Sequence, residues 1–167
     1  MRESRFDEAV RTLNRTAARA ESVLGYDHSQ VIALRMELAD VLFKAGDYST
    51  AASAFHALAQ DAADRDGAEA EAVLQLRFQE ANSRALAGDI ERALAQLRDL
   101  LGDMTRQFGK DDDRVLDLRR QQGLLLHGAG RTTMAVRVLE DLAADLERFR
   151  GSENPTLQTV RETLARL

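Results

Sequence analysis

The stretch Ala87-Gly88-Asp89-Ile90-Glu91-Arg92-Ala93 sets the period of the whole chain, because its glycine is one member of a regular series. Gly25, Gly46, Gly67, Gly88, Gly109, Gly130 and Gly151 follow one another at a constant interval and account for seven of the ten glycines. Glycine enters left-handed backbone conformations without a Cβ clash, so it closes helices at little cost. Each member of the series is therefore read as the end of a helix, and the chain as about eight helices joined by tight turns.

Working outward, the segment before Gly25 carries Phe6, Ala9, Val10, Leu13, Ala17, Ala20, Val23 and Leu24, close to the spacing of a one-faced helix. After Gly25, Asp27 and Ser29 are candidate caps for a second helix running to about Ala45. A third helix follows Gly46-Asp47-Tyr48-Ser49, carries Ala51, Ala54, Phe55, Leu58 and Ala62, and ends near Gly67. Alternate helices match better than neighbours, so the true repeat spans two helices and two glycines of the series. Leu34-Arg35, Leu76-Arg77 and Leu118-Arg119 correspond, as do Ala51, Ala93 and Ala135; Phe55, Leu97 and Leu139; and Ala39, Ala81 and Gly123. The unit is a helical hairpin that must stack on its neighbours to bury its apolar faces, which defines a solenoid. Two charge ladders share the period, Arg35, Arg77, Arg119 and Arg161 with Asp61, Asp103 and Asp145. They are expected to pair, within a hairpin or between one hairpin and the next.

Composition narrows the class. The chain has 167 residues, 44% hydrophobic and 31% charged, with one proline and no cysteine. It has ample material for one helical domain, and disulfide and thiolate chemistry are excluded. No apolar run approaches the length of a membrane span, and the N-terminal residues read as an amphipathic helix, so no membrane association is expected. A net charge of −5 with interspersed signs opposes nucleic-acid binding, which needs a basic stripe. An intracellular, cytoplasmic location is the natural expectation.

Leu38-Ala39, Gly46-x-Tyr48, Ala51 and Phe55, together with the linker Gly25-Tyr26-Asp27-His28, resemble the tetratricopeptide repeat (TPR) family in its longer, kinesin-light-chain-like 42-residue form, of a bacterial type. The resemblance covers nearly the whole chain. It departs at Ser29 in place of a linker proline, at Gly67-Ala68-Glu69-Ala70, and at Gly130-Arg131-Thr132, which lacks an aromatic residue. It implies an all-α, right-handed α-solenoid of antiparallel hairpins. The single array would comprise a half repeat at 1–25, full repeats at 26–67, 68–109 and 110–151, and a half repeat or capping helix at 152–167, and would belong to a larger protein.

Candidate chemistry is sparse. His28, His56 and His127 fall on three different elements without ligand spacing. Gly128-Ala129-Gly130-Arg131 follows a helix instead of a strand and reads as a turn, not a phosphate loop. Asp111-Asp112-Asp113 lacks the alternation of a calcium loop and reads as a helix cap with favourable N-terminal charge. No catalytic residue, cofactor site or metal site is assigned.

What remains is a surface. In the TPR family the first helix of each hairpin lines a concave groove. The resemblance places Met36, Asp40, Phe43 and Lys44 there from the first full repeat, Gln75, Phe78, Gln79 and Asn82 from the second, and Arg120, Gln121 and His127 from the third. Lys44 and Asn82 match the family's carboxylate-clamping positions only singly. Phe43 and Phe78 are either apolar anchors of that groove or core between repeats. The function expected is a non-catalytic protein- or peptide-binding scaffold, with array ends open to neighbouring domains or self-association. The alternatives are a regulatory segment of a signalling enzyme, such as a bacterial serine/threonine kinase, and a sensor of a small ligand or peptide.

Overall fold

The computed structural model describes residues 2–167, with side chains from residue 6 onward. Among the described residues the positive-φ positions are the seven glycines of the regular series. They separate α1 (Arg2–Leu24), α2 (Ser29–Ala45), α3 (Tyr48–Asp66), α4 (Glu71–Leu86), α5 (Ile90–Phe108), α6 (Asp113–Gly128), α7 (Thr132–Arg150) and α8 (Pro155–Leu164), with no strand among the described residues. The fold is all-α, a TPR-like series of helical hairpins. Six helices run 16 to 19 residues; α1 is longer at 23 and α8 shorter at 10.

Two kinds of turn alternate, and this is why the repeat contains two helices and not one. At Gly46 the backbone is left-handed (φ 88°, ψ 2°), the Asp47 N–H donates to Leu42 O at 3.0 Å and the Gly46 N–H to Phe43 O at 3.1 Å. That pairing defines a Schellman cap, and it recurs at Gly88-Asp89 and Gly130-Arg131. At Gly67 the backbone is instead extended with positive φ (93°, 148°), a region essentially reserved for glycine. There the Gly67 N–H closes a last helical bond to Ala63 O, and the Ala70 N–H bonds back to Gly67 O at 3.1 Å. The same pattern recurs at Gly25, Gly109 and Gly151. It leaves His28, Ala70, Asp112 and Asn154, equivalent positions of successive repeats, as extended N-caps.

The cap of α2 differs from expectation. His28 holds the position and its Nδ1 accepts from the Gln30 N–H at 3.2 Å, while Ser29 is already helical and Asp27 stays in the turn. The second turn type places the cap at the third position after its glycine, immediately beyond Asp27. In the third linker Asp112 is the cap, as the acidic run suggested, accepting from the Arg114 N–H at 2.9 Å.

The chain divides into two compact units, Met1–Asp89 and Ile90–Leu167. In the first, α3 packs against both α2 and α4, and α1 against α2. Ala51, Phe55, Leu58 and Ala62 recur along one face of α3 and join Ala39, Leu42, Val73 and Leu76 in a buried core. Ala39 and Ala51 are completely buried, and their small side chains let the hairpin helices approach closely. In the second unit α6 packs against α5 and α7, and α8 against α7. A Cβ built on Gly123 would lie 2.6 Å from Leu139 Cδ2, so at this level of the α6–α7 hairpin any side chain would force Leu139 to shift. Leu116, Leu139, Leu142, Leu146, Leu157 and Val160 complete a core there.

Candidate binding surface

The resemblance assigned partner contact to the first helix of each hairpin, α2, α4 and α6. On α2, Met36 and Phe43 are half-buried and pack against the first unit's core; Asp40 is half-buried and Lys44 exposed. Phe43 meets Tyr48 edge-on, with ring centres 5.3 Å apart, so the ring is partly committed to closing its own hairpin. On α4, Gln75 is exposed, and Phe78, Gln79 and Asn82 are half-buried. Both aromatic rings thus keep some accessible surface while resting on the protein. On α6, Asp117 gathers two of the assigned residues. Arg120 donates to it at 2.8 and 3.0 Å and Gln121 at 2.7 Å, while His127 is exposed near the helix end. Arg120, Gln121 and His127 belong to the second unit and the other assigned residues to the first.

The ladder pairs within the first and third hairpins. Arg35 meets Asp61 at 2.8 Å and Arg119 meets Asp145 at 2.6 Å, because antiparallel helices bring the start of one to the level of the other's end. Arg161 turns instead to Glu147 at 3.0 Å. In the first hairpin the pair grows into a cluster. Tyr26 donates its hydroxyl to Asp61 Oδ2 at 2.6 Å, and the Arg35 guanidinium lies 4.2 Å from the centre of the Tyr26 ring. Partial burial, and then donation to a carboxylate, raise the Tyr26 pKa above the ordinary phenol value.

Two features went unnoticed in the sequence. The first is Glu80 on α4, 2% exposed, whose Oε1 accepts from Arg84 at 2.8 and 3.0 Å and lies 3.1 Å from Nδ1 of His56 on α3. The i, i+4 spacing of Glu80 and Arg84 was a visible signal; the arrival of His56 from another helix was not. The second is a cavity of about 110 Å³ between α2, α3 and α4. Ile32, Met36, Leu58, Ala62, Ala72 and Leu76 form its apolar lining, and Asp27, Arg35, Asp61 and Arg65 its polar part. A wider opening beside it is lined by Asp27, Asp61, Asp64 and Arg65.

Solved structures share the helical-hairpin fold. One contains nearly identical TPR-like repeats of a Podosopora anserina protein taken to be a kinesin light chain; it matches 99% of this chain and 78% of its own with a TM-score of 0.80 at 20% identity. BtubC (BKLC) from P. vanneervenii matches 95% of this chain and 64% of its own with a TM-score of 0.68 at 15% identity. No protein-family model and no curated protein matches the sequence. At these identities the likeness establishes the TPR-like fold.

Proposed function

We propose that this chain is a non-catalytic module that binds a protein or peptide, a scaffold within an intracellular assembly. The observation carrying this reading is the pair of half-buried rings, Phe43 and Phe78, on successive first helices of one unit, with Lys44 and Gln75 exposed beside them and Gln79 and Asn82 half-buried. Aromatic anchors bordered by amides and a flexible cation suit an extended or helical peptide, which supplies apolar side chains to the anchors and backbone groups to the amides. The likeness to kinesin-light-chain-type repeats supports the reading at the level of architecture.

Selection of peptides from a displayed random library, followed by titration of the best ligand, tests it. Phe78→Ala should weaken that ligand by about tenfold or more, equivalent to about 1.4 kcal/mol, with little change in the melting temperature. A variant that keeps full affinity while losing stability would reassign the ring to the core and remove the groove.

A further inference from the structure

We propose that the cavity between α2, α3 and α4 receives a lysine or arginine side chain of a peptide partner, the alkyl stem entering the apolar lining and the cationic head meeting the aspartates at the mouth. The choice of a peptide rests on the binding function proposed above. The cavity itself rests on an independent comparison, between the first repeat and its own later copies.

The later repeats provide a control for four of the apolar wall residues. Ala62, buried on α3, corresponds to Met104 and Leu146 in the next two repeats, and both counterparts are buried. In the second unit Leu146 packs with Leu116, Leu142 and Val160, the counterparts of Ile32, Leu58 and Leu76. There a large side chain fills the place that Ala62 leaves short. The short side chain at position 62 is therefore a departure of the first repeat from its later copies.

The charge at the mouth departs in the same repeat. Asp64 stands where Arg106 and Arg148 stand later, and Arg65 corresponds to Phe149, whose half-buried ring has the Lys110 ammonium 5.4 Å from its centre. Each of the two cations near the cavity is engaged by one carboxylate, and Arg35 Nη1 is buried without a hydrogen-bond partner. Arg35 is paired with Asp61 at 2.8 Å, and Arg65, at the cavity's edge, donates to Asp66 at 2.7 and 3.1 Å. Asp27 and Asp64 are exposed, Asp27 acting on the Arg65 charge through space, and with Asp61 and Asp66 they set four carboxylates against the two arginines. An apolar cleft with an excess of carboxylates over arginines at its mouth is complementary to a side chain that is apolar along its stem and positive at its tip. An acidic or purely aliphatic side chain lacks one half of that match.

Amide chemical shifts of the isotope-labelled chain at low ionic strength test the proposal, with acetyl-Ala-Lys-Ala-amide as probe. Its norleucine counterpart keeps the stem without the charge, and its glutamate counterpart reverses the charge. The lysine peptide should produce saturable shifts at Ile32, Met36, Ala62 and Ala72, and the norleucine peptide should bind about tenfold more weakly, the factor equivalent to about 1.4 kcal/mol. Ala62→Leu or Ala62→Met, each importing the residue of a later repeat, should abolish the shifts. Asp64→Arg, a surface change, should reduce affinity by about tenfold. Absence of shifts up to the solubility limit of the lysine peptide, equal binding of the norleucine or glutamate peptide, or undiminished binding to a folded Ala62 variant would each overturn it. Met36 belongs to both the cavity lining and the α2–α4 surface, so that surface is decided by the Phe78→Ala titration and not by these shifts.

Discussion

Tyr26 shows how one side chain ties a linker to the hairpin it precedes. Its hydroxyl donates to Asp61 at 2.6 Å and its ring covers the guanidinium of Arg35, itself bound to the same carboxylate. Deprotonating that phenol would remove a donor and set a second anion against Asp61. The consequence for stability has a definite sign. The folded-state pKa is raised above its unfolded value of about 10, so the cluster's stabilisation is complete below that value and declines as pH rises through the folded pKa. In a Tyr48→Phe background the phenolate absorbance of Tyr26 should titrate above pH 10, and Asp61→Asn should bring the midpoint down. An unshifted titration would mean the hydroxyl faces water. Asp112 has the opposite sign. The Arg114 side chain, bonded to it at 2.9 and 3.0 Å, holds its carboxyl below the ordinary range, so the cap's contribution is present above the unfolded value and lost as pH falls through the depressed one.

At the scale of elements, the hairpins are closed by facing positions, one small and one large: Ala39 with Phe55 in the first unit and Gly123 with Leu139 in the second. The small member sets how near the helices come, and the large one occupies the resulting gap. A methyl group at Gly123 would force Leu139 to shift, because Leu139 Cδ2 and Cγ would lie 2.6 and 2.7 Å from it. Gly123→Ala should therefore destabilise the chain by about 1–3 kcal/mol through overpacking, despite the gain of roughly 1 kcal/mol in helix propensity that alanine brings. Chemical denaturation measures the balance, and an unchanged or higher midpoint would show that α7 shifts freely on α6. Between α3 and α4 the contact is polar as well, since buried Glu80 holds both Arg84 and His56. Truncating one partner of such a buried charge costs more than the pair itself contributes, because the remaining charge stays desolvated.

Across the whole molecule, stability in stacked hairpins is a sum of local terms, since within each unit an element packs on its neighbours in sequence. Leu142 is fully buried in the second unit's core with Leu139, Leu146 and Leu157. Leu142→Ala should cost roughly 2–5 kcal/mol, and hydrogen exchange should show the greatest loss of protection in α6, α7 and α8, with a smaller loss in α2 and α3. Uniform loss through all eight helices would indicate all-or-none unfolding instead. No helix among the described residues is long and apolar enough to cross a membrane.

The seven glycines determined the helix count and nearly every boundary from sequence alone, because only glycine reaches the backbone angles of both turn types and seven of the chain's ten glycines serve them. The two-helix period likewise made the small positions 39, 81 and 123 legible, as well as the Arg–Asp ladder that closes the first and third hairpins. Three things required the tertiary structure. Periodicity records which residues share a level but not which way a side chain turns, so the extension of the Arg35–Asp61 pair to Tyr26 and the turn of Arg161 to Glu147 were not predictable. The half-burial of Phe43 and Phe78 depends on how much of each ring its neighbours cover, a quantity fixed by packing and not by spacing. The cavity stood in plain letters as Ala62, Met104 and Leu146, yet a short side chain becomes a void only when the surrounding helices fail to close over it, and that is decided in three dimensions.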